Sequence, residues 1–274
     1  MYYHHDLSPI AFSLGSFITV HWYGLMYVIA FFCGWALARY FTTLPHIKFT
    51  KENVEDLFTY IILGVLLGGR LGYVLFYDIS YYLANPLDII KIWQGGMSFH
   101  GGFLGVLFAL LIWSKKHHCS YIALTDFIAP CVPIGLFFGR IGNFINGELW
   151  GKEATVSWAV IFPTGGSQPR HPSQLYEAGL EGLALFLILF FLAKKDTPKG
   201  VISAVFCIGY ALARSFVEFY RVPDPQYGYF LGFITMGQIL CIPMILTGII
   251  LLYLSKKWQL EETTNYKKIQ KSKR

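Results

Sequence analysis

Apolar residues run along this chain in seven long blocks separated by short polar breaks. The blocks extend approximately from Thr19 to Ala38, Leu57 to Tyr77, Met97 to Trp113, Ala123 to Ile145, Leu175 to Ala193, Val201 to Tyr220 and Phe233 to Leu254. Each can span a hydrocarbon core of ~30 Å, the third being short for the task. A soluble fold has no interior that could bury so many uncharged helices, so the pattern predicts an all-α integral membrane protein with about seven transmembrane helices. No basic segment precedes the first block and its apolar run is too long for a signal-peptide core, so it is expected to be a retained span. The longest polar interruption, about 146–174, is punctuated by glycines and prolines around an alternating VSWAVIF stretch. It predicts a small head of irregular and short-strand segments. One polytopic membrane domain is therefore expected over 1–254, followed by a basic, disordered tail over 255–274.

Composition agrees with this reading. The 274-residue chain is 55% hydrophobic and only 14% charged, against ~25% charged in an ordinary soluble domain. Charge then sets the orientation. With the N-terminus outside, the inner segments hold fifteen of the 22 Lys and Arg residues and the outer segments four: Lys91, Lys152, Arg170 and Arg221. The positive-inside rule places the N-terminus outside, the 146–174 head on the outer (periplasmic) side and the KKIQKSKR tail in the cytoplasm. The net charge of +6 then reflects topology and contact with anionic membrane lipids, with no nucleic-acid partner implied. The five cysteines form no CxxC pair and read as small packing residues, with no metal or disulfide framework.

Three basic residues remain, and all lie inside predicted spans: Arg70, Arg140 and Arg214. A charge there costs ~2.5–3.5 kcal/mol on insertion scales and needs a reason. Snorkelling or burial in an ion pair would supply one for any single Arg. Three helices placing a guanidinium at a similar depth on the outer side favour a shared anionic ligand, such as a phospholipid phosphate. Within GRIGNFINGELWG, Arg140 and Asn143 share a helix face at i, i+3. Gly139 and Gly142 beside them allow a helix or a lipid to approach closely, and Glu148 can pair with a cation or accept a hydroxyl proton. In GGMSFHGGFLG, His100 falls in the first outer turn of its helix, where the helix N-terminus disfavours an imidazolium and keeps the ring able to accept a proton. Tyr210, Arg214, Glu218 and Arg221 form one stripe on the sixth span, with Arg214 and Glu218 spaced to pair with each other. Tyr23 opens the first span in HWYG, where its hydroxyl needs a partner. The segment RHPSQLYE is suited equally to capping, interface anchoring and catalysis. There is no GxSxG, HExxH or P-loop, so an enzyme built on these residues would draw its nucleophile from the substrate.

Taken in order, HWYG, SFHGGFLG, GRIGNFINGELWG, RHPSQLYE and RSFVEFYR resemble the motifs of bacterial prolipoprotein diacylglyceryl transferases. The resemblance implies seven spans with the N-terminus outside, in the bacterial inner (cytoplasmic) membrane. It implies transfer of the diacylglyceryl group of phosphatidylglycerol to the lipobox cysteine of a preprolipoprotein signal peptide, with a thioether formed and glycerol-1-phosphate released. Carried over through these motifs, His100, Arg140 and Arg214 resemble the family's functional core. Tyr23, Asn143, Glu148, Gly151, Tyr210 and Glu218 fall at positions the family associates with activity or lipid binding, and Arg70 joins the lipid-binding set through its depth. Lys152 stands where Arg is expected and His21 where Arg is common, which affects local geometry more than charge. His100 is the candidate base for the thiol, whose unperturbed pKa is ~8.5, and the arginines would hold the departing phosphate. No metal or organic cofactor is implied. A transporter or scramblase of anionic phospholipid would also want arginines for phosphate, but it would need polar groups reaching the opposite leaflet.

Overall fold

The computed structural model describes residues 2–15, 18–223, 228–230 and 232–272. In chain order the elements are β1 (Tyr3–His4), β2 (Ile10–Leu14), β3 (Ile18–His21), α1 (Trp22–Phe41), α2 (Lys51–Phe76), α3 (Ile79–Ala84), α4 (Phe99–Lys116), α5 (Tyr121–Ile128) and α6 (Val132–Ile145). There follow β4 (Val160–Ile161), α7 (Ser173–Glu177), α8 (Leu185–Ala193), α9 (Val201–Val217), β5 (Tyr229–Phe230), β6 (Ile234–Thr235) and α10 (Met236–Ser272). A 3₁₀ turn, Ala129–Cys131, joins α5 to α6, and a π-helical stretch, Ala178–Ala184, joins α7 to α8.

Among the described residues five helical segments are long and apolar enough to cross a membrane: Trp22–Phe41, Lys51–Phe76, Tyr121–Ile145, Ser173–Ala193 and Met236–Leu260. The other two expected spans correspond to α4, with 18 residues, and α9, with 17. Large apolar side chains such as Phe32, Phe108 and Phe191 stand mostly exposed on these helices, as they do where lipid replaces water.

The structure moves several boundaries for identifiable reasons. The first helix starts at Trp22 because residues 18–21 pair as β3 with β2. The second starts earlier than its apolar run, at Lys51, because Thr50 and Asn53 form a reciprocal capping box that satisfies two orphan helix donors. The tail expected to be disordered continues α10 to Ser272. Its residues include strong helix formers with no Gly or Pro, and a helix already propagating pays no new nucleation cost. Lys273 and Arg274 lie outside the described residues.

The chain forms two compact units, Met1–Phe41 with Asp126–Arg274, and Thr42–Thr125. In the smaller unit α2 packs on α4 through small residues. A Cβ on Gly72 would lie 2.6 Å from the Gly101 Cα, and one on Gly64 would lie 2.7 Å from the Gly105 carbonyl oxygen. Without side chains at these points the two backbones touch, the arrangement expected of small-xxx-small helix contacts. The far ends of the pair are tied by Asp56, which accepts from Trp113 Nε1 at 2.8 Å and lies 2.8 Å from His117 Nε2. Gly72→Ala is accordingly expected to destabilise the protein by about 1–3 kcal/mol, the usual cost of forcing a methyl into a packed contact. Thermal unfolding in detergent measures this; an unchanged midpoint would mean that α2 and α4 separate at no cost.

The larger unit contains the remaining helices and the strands. β1 pairs in parallel with β4, matching Tyr3 with Val160 and His4 with Ile161. The expected strand content of the 146–174 segment is thus real but short, and its partner is the N-terminus. Isolated bridges join Gly151 to Arg221 and Arg170 to both Glu153 and Val160. Gly200, in a left-handed conformation, is the N-cap of α9. Its first N–H groups are capped from another helix: Asp126 accepts from Gly200 N, from Ser203 N at 2.8 Å and from Ser203 Oγ at 2.7 Å. A carboxylate at this end also meets the positive pole of the helix.

Candidate active site

Three arginines of the larger unit converge on one carboxylate. Glu177, the last residue of α7, is completely buried. Its Oε2 lies 2.9 Å from Arg140 Nε, and its Oε1 accepts from Arg221 Nη1 at 3.0 Å and from Arg214 Nη1. Arg214 also pairs with Glu218 through its other terminal nitrogen. Glu181, fully buried one turn beyond Glu177 in the π-helical stretch, lies 3.8 Å from Arg214 Nη1. The sequence expectation that Arg214 and Glu218 could pair with each other therefore holds, and the same guanidinium serves Glu177 as well.

A second layer follows from α6. Arg140 Nη1 donates to Asn143 Oδ1 at 3.3 Å, so the i, i+3 spacing does bring these side chains together. Asn143, itself buried, donates to Glu148 Oε1 at 2.8 Å, and Asn146 donates to the same oxygen at 3.3 Å. The chain reverses direction just there, with Gly147 and Leu149 at positive φ, and the turn aims Glu148 back at the helix it has just left. Gln174 Nε2 donates to the Glu148 carbonyl at 2.6 Å, which ties this turn to α7. Arg140 Nη2 has no partner among the described residues.

Tyr23 packs against Gly142, where a Cβ would lie 3.0 Å from its ring, and its hydroxyl lies 3.2 Å from that of Tyr27. Gly139 faces open space, so of the two glycines only Gly142 is used for close packing. Tyr210 lies within electrostatic reach of Glu181, Arg214, Arg140 and Glu177. Gly151 sits between backbones: its N–H donates to the His171 carbonyl at 2.9 Å, and a Cβ would lie 2.7 Å from that same oxygen. Its bridge to Arg221 helps fix the backbone from which the third arginine reaches Glu177. Lys152 donates to the Phe219 carbonyl at 2.9 Å, the neighbouring part of the same support. In the 146–174 segment, burial holds the His171 imidazole below its ordinary pKa, and its Nδ1 lies 3.0 Å from the Tyr176 hydroxyl.

Two sequence-predicted residues belong to the smaller unit. His100 is the second residue of α4 and is exposed, its ring edge-on to Phe99. Ser98 caps that helix by accepting from Gly101 N at 3.2 Å. Arg70 is buried, and all five of its N–H groups face backbone carbonyls. Nε donates to Ile89 at 2.7 Å, Nη1 to Gly95 and Gly96, and Nη2 to Asp88 and Lys91. With its donors spent on holding the 88–96 loop, Arg70 has the contacts of a structural residue and not of an open phosphate ligand.

Sequence reasoning missed Glu177 and Glu181 as members of the cluster, and it placed Arg221 on the Arg214 stripe and among the outer charges without assigning it to the site. The signal was available. Two carboxylates at i, i+4 within an otherwise apolar span call for the same explanation as an arginine there. Among the described residues no group of three or more His, Cys, Asp or Glu could hold a metal ion.

The sequence profile of the family described as prolipoprotein diacylglyceryl transferase matches residues 9–254. Among relatives called phosphatidylglycerol–prolipoprotein diacylglyceryl transferase, that of Nitratidesulfovibrio vulgaris is 52% identical over 247 residues, covering 90% of this chain and 94% of the relative. That of Solidesulfovibrio magneticus is 52% identical over 255 residues, covering 92% and 96%. That of Pseudomonas aeruginosa is 52% identical over 248 residues, covering 90% and 93%.

Proposed function

This chain belongs to the prolipoprotein diacylglyceryl transferase family, and we propose that it moves the diacylglyceryl group of phosphatidylglycerol onto the lipobox cysteine of a preprolipoprotein. The thiolate sulfur attacks the glyceryl carbon that carries the phosphate. A carbon–sulfur bond forms, the carbon–oxygen bond breaks, and glycerol-1-phosphate leaves with the electron pair. The observation that carries this reading is the convergence of Arg140, Arg214 and Arg221 around buried Glu177. Such a site offers guanidinium groups to a phosphate in surroundings poor in water, where they act more strongly than in bulk solvent. Arg140, with one terminal nitrogen unpaired and the largest exposure of the cluster's arginine and glutamate side chains with stated values (18%), is the first contact for the headgroup. Arg214 completes the clamp. Asn143, Glu148, Tyr23, Tyr210 and Glu218 hold these groups in place or meet the glycerol part of the lipid. His100 accepts the thiol proton.

The proposal includes seven spans in the bacterial inner membrane, with α4 and α9 crossing alongside the five longer segments. It puts the N-terminus outside and the end of α10 in the cytoplasm, in line with the excess of Lys and Arg in the segments assigned to the inside. The test is an assay with headgroup-labelled and acyl-labelled phosphatidylglycerol and a lipobox peptide. The acyl label is expected on the peptide cysteine and the headgroup label in released glycerol phosphate. Movement of intact lipid between leaflets, with no label on the peptide, would overturn the reading in favour of transport.

A further inference from the structure

We propose that Glu181 takes up a proton when an anionic phosphate headgroup enters the arginine cluster, so that lipid binding is linked to protonation of this one carboxylate. The inference rests on reading the cluster as the headgroup site. Glu181 is fully buried, and neither of its carboxylate oxygens has a hydrogen-bond partner among the described residues. Its nearest cation, Arg214 Nη1, is 3.8 Å away, beyond hydrogen-bond length. A buried carboxylate without donors is costly to maintain, and such groups call for an explanation. The backbone that carries Glu181 is held close against a neighbouring helix. The next residue, Gly182, lies so close to α6 that a Cβ there would be 2.7 Å from the Phe137 Cβ. The π-helical turn that carries it is a distortion often found at functional sites.

The positive charges around it are already answered by carboxylates. Arg214 lies nearest to it from α9, and Tyr210 on α9, Arg140 on α6 and Arg221 in the turn after α9 are within electrostatic reach, while Glu177 lies one turn earlier on its own helix. Three guanidinium charges thus meet the carboxylates of Glu177, Glu181 and Glu218, and Glu148 joins through Asn143. No positive charge is in surplus when a phosphodiester arrives with one more negative charge. In a low-dielectric site that imbalance is relieved most cheaply by neutralising the carboxylate with the least to lose. Protonating Glu177 would give up contacts to three arginines, and protonating Glu218 its close pairing with Arg214. Protonating Glu181 gives up only one long contact, and it turns an orphan acceptor into a donor that can face the incoming phosphate.

The experiment is calorimetric titration of phosphatidylglycerol into the detergent-solubilised full chain, in two buffers of different ionisation enthalpy at slightly alkaline pH. The parent is expected to take up about one proton per lipid bound. Glu181→Gln is expected to bind at least as tightly with uptake close to zero, and Glu181→Asp to retain the uptake. Infrared difference spectra of the parent with and without lipid give a reading that needs no variant: a protonated carboxyl band should appear on binding. Lipid binding without proton uptake, or unchanged uptake in a folded Glu181→Gln protein, overturns the assignment to Glu181 and leaves the headgroup site standing. Failure of the parent to bind the lipid overturns both.

Discussion

Glu177→Gln is expected to destabilise the protein by about 3–5 kcal/mol and to abolish transfer, although the new side chain has almost the same shape. The cost is that of removing one partner from a buried ion pair while leaving the opposite charge in place. Here the carboxylate is completely buried, and the charges left behind are Arg140, Arg214 and Arg221. Gln can still accept one hydrogen bond, but it cannot neutralise guanidinium groups that repel one another. Thermal unfolding in detergent measures the stability loss, and the label-transfer assay measures the rate. A variant with parental stability would show that the arginines do not depend on Glu177, and the clamp described above would then be wrong.

His100→Gln is expected to lower the transfer rate by ~10²–10⁴-fold, the usual contribution of a positioned general base, while phosphatidylglycerol binding stays close to that of the parent. Binding is expected to be spared because the proposed function assigns the phosphate contacts to Arg140 and Arg214, whereas His100 stands in the first turn of α4. The rate deficit should shrink as pH rises toward the thiol's own pKa of ~8.5, because hydroxide then performs part of the deprotonation. Initial rates against pH for both proteins, with lipid binding measured separately, decide the matter. A small deficit that is the same at every pH would remove His100 as the base and leave the arginines to stabilise the thiolate.

Membrane class was legible in one dimension. An apolar run of about twenty residues, repeated along a chain with little charge, has no soluble alternative, whatever its neighbours in space. The same one-dimensional logic singled out Arg140, Arg214 and Asn143, because a polar group in such a run must be answered by another group. It applies equally to Glu177 and Glu181, which stand in the apolar block that becomes α7 through α8; Glu177 is legible there only as part of the RHPSQLYE segment, and nothing local names the arginines that answer either carboxylate.

Which group answers which was decided in three dimensions. Glu177 lies 37 residues from Arg214 and 44 from Arg221, and no local spacing joins them. They meet because α6, α7 and α9 pack together, and because the bridge at Gly151 helps hold the Arg221 backbone. Arg70 shows the same limit from the other side. Its depth in the sequence matched that of Arg140 and Arg214, and a shared ligand was the simplest expectation. Its partners are instead the carbonyls of a loop 18 to 26 residues farther along the chain. Every residue carries a backbone carbonyl, so no residue type announces one that will serve as an acceptor. The apolar pattern by itself determined that this protein lives in a membrane and which charges needed an explanation there. Only the packing of the helices decided that two span arginines share a buried glutamate while the third is spent on backbone, because pairing depends on where side chains meet and not on how far apart they stand in the chain.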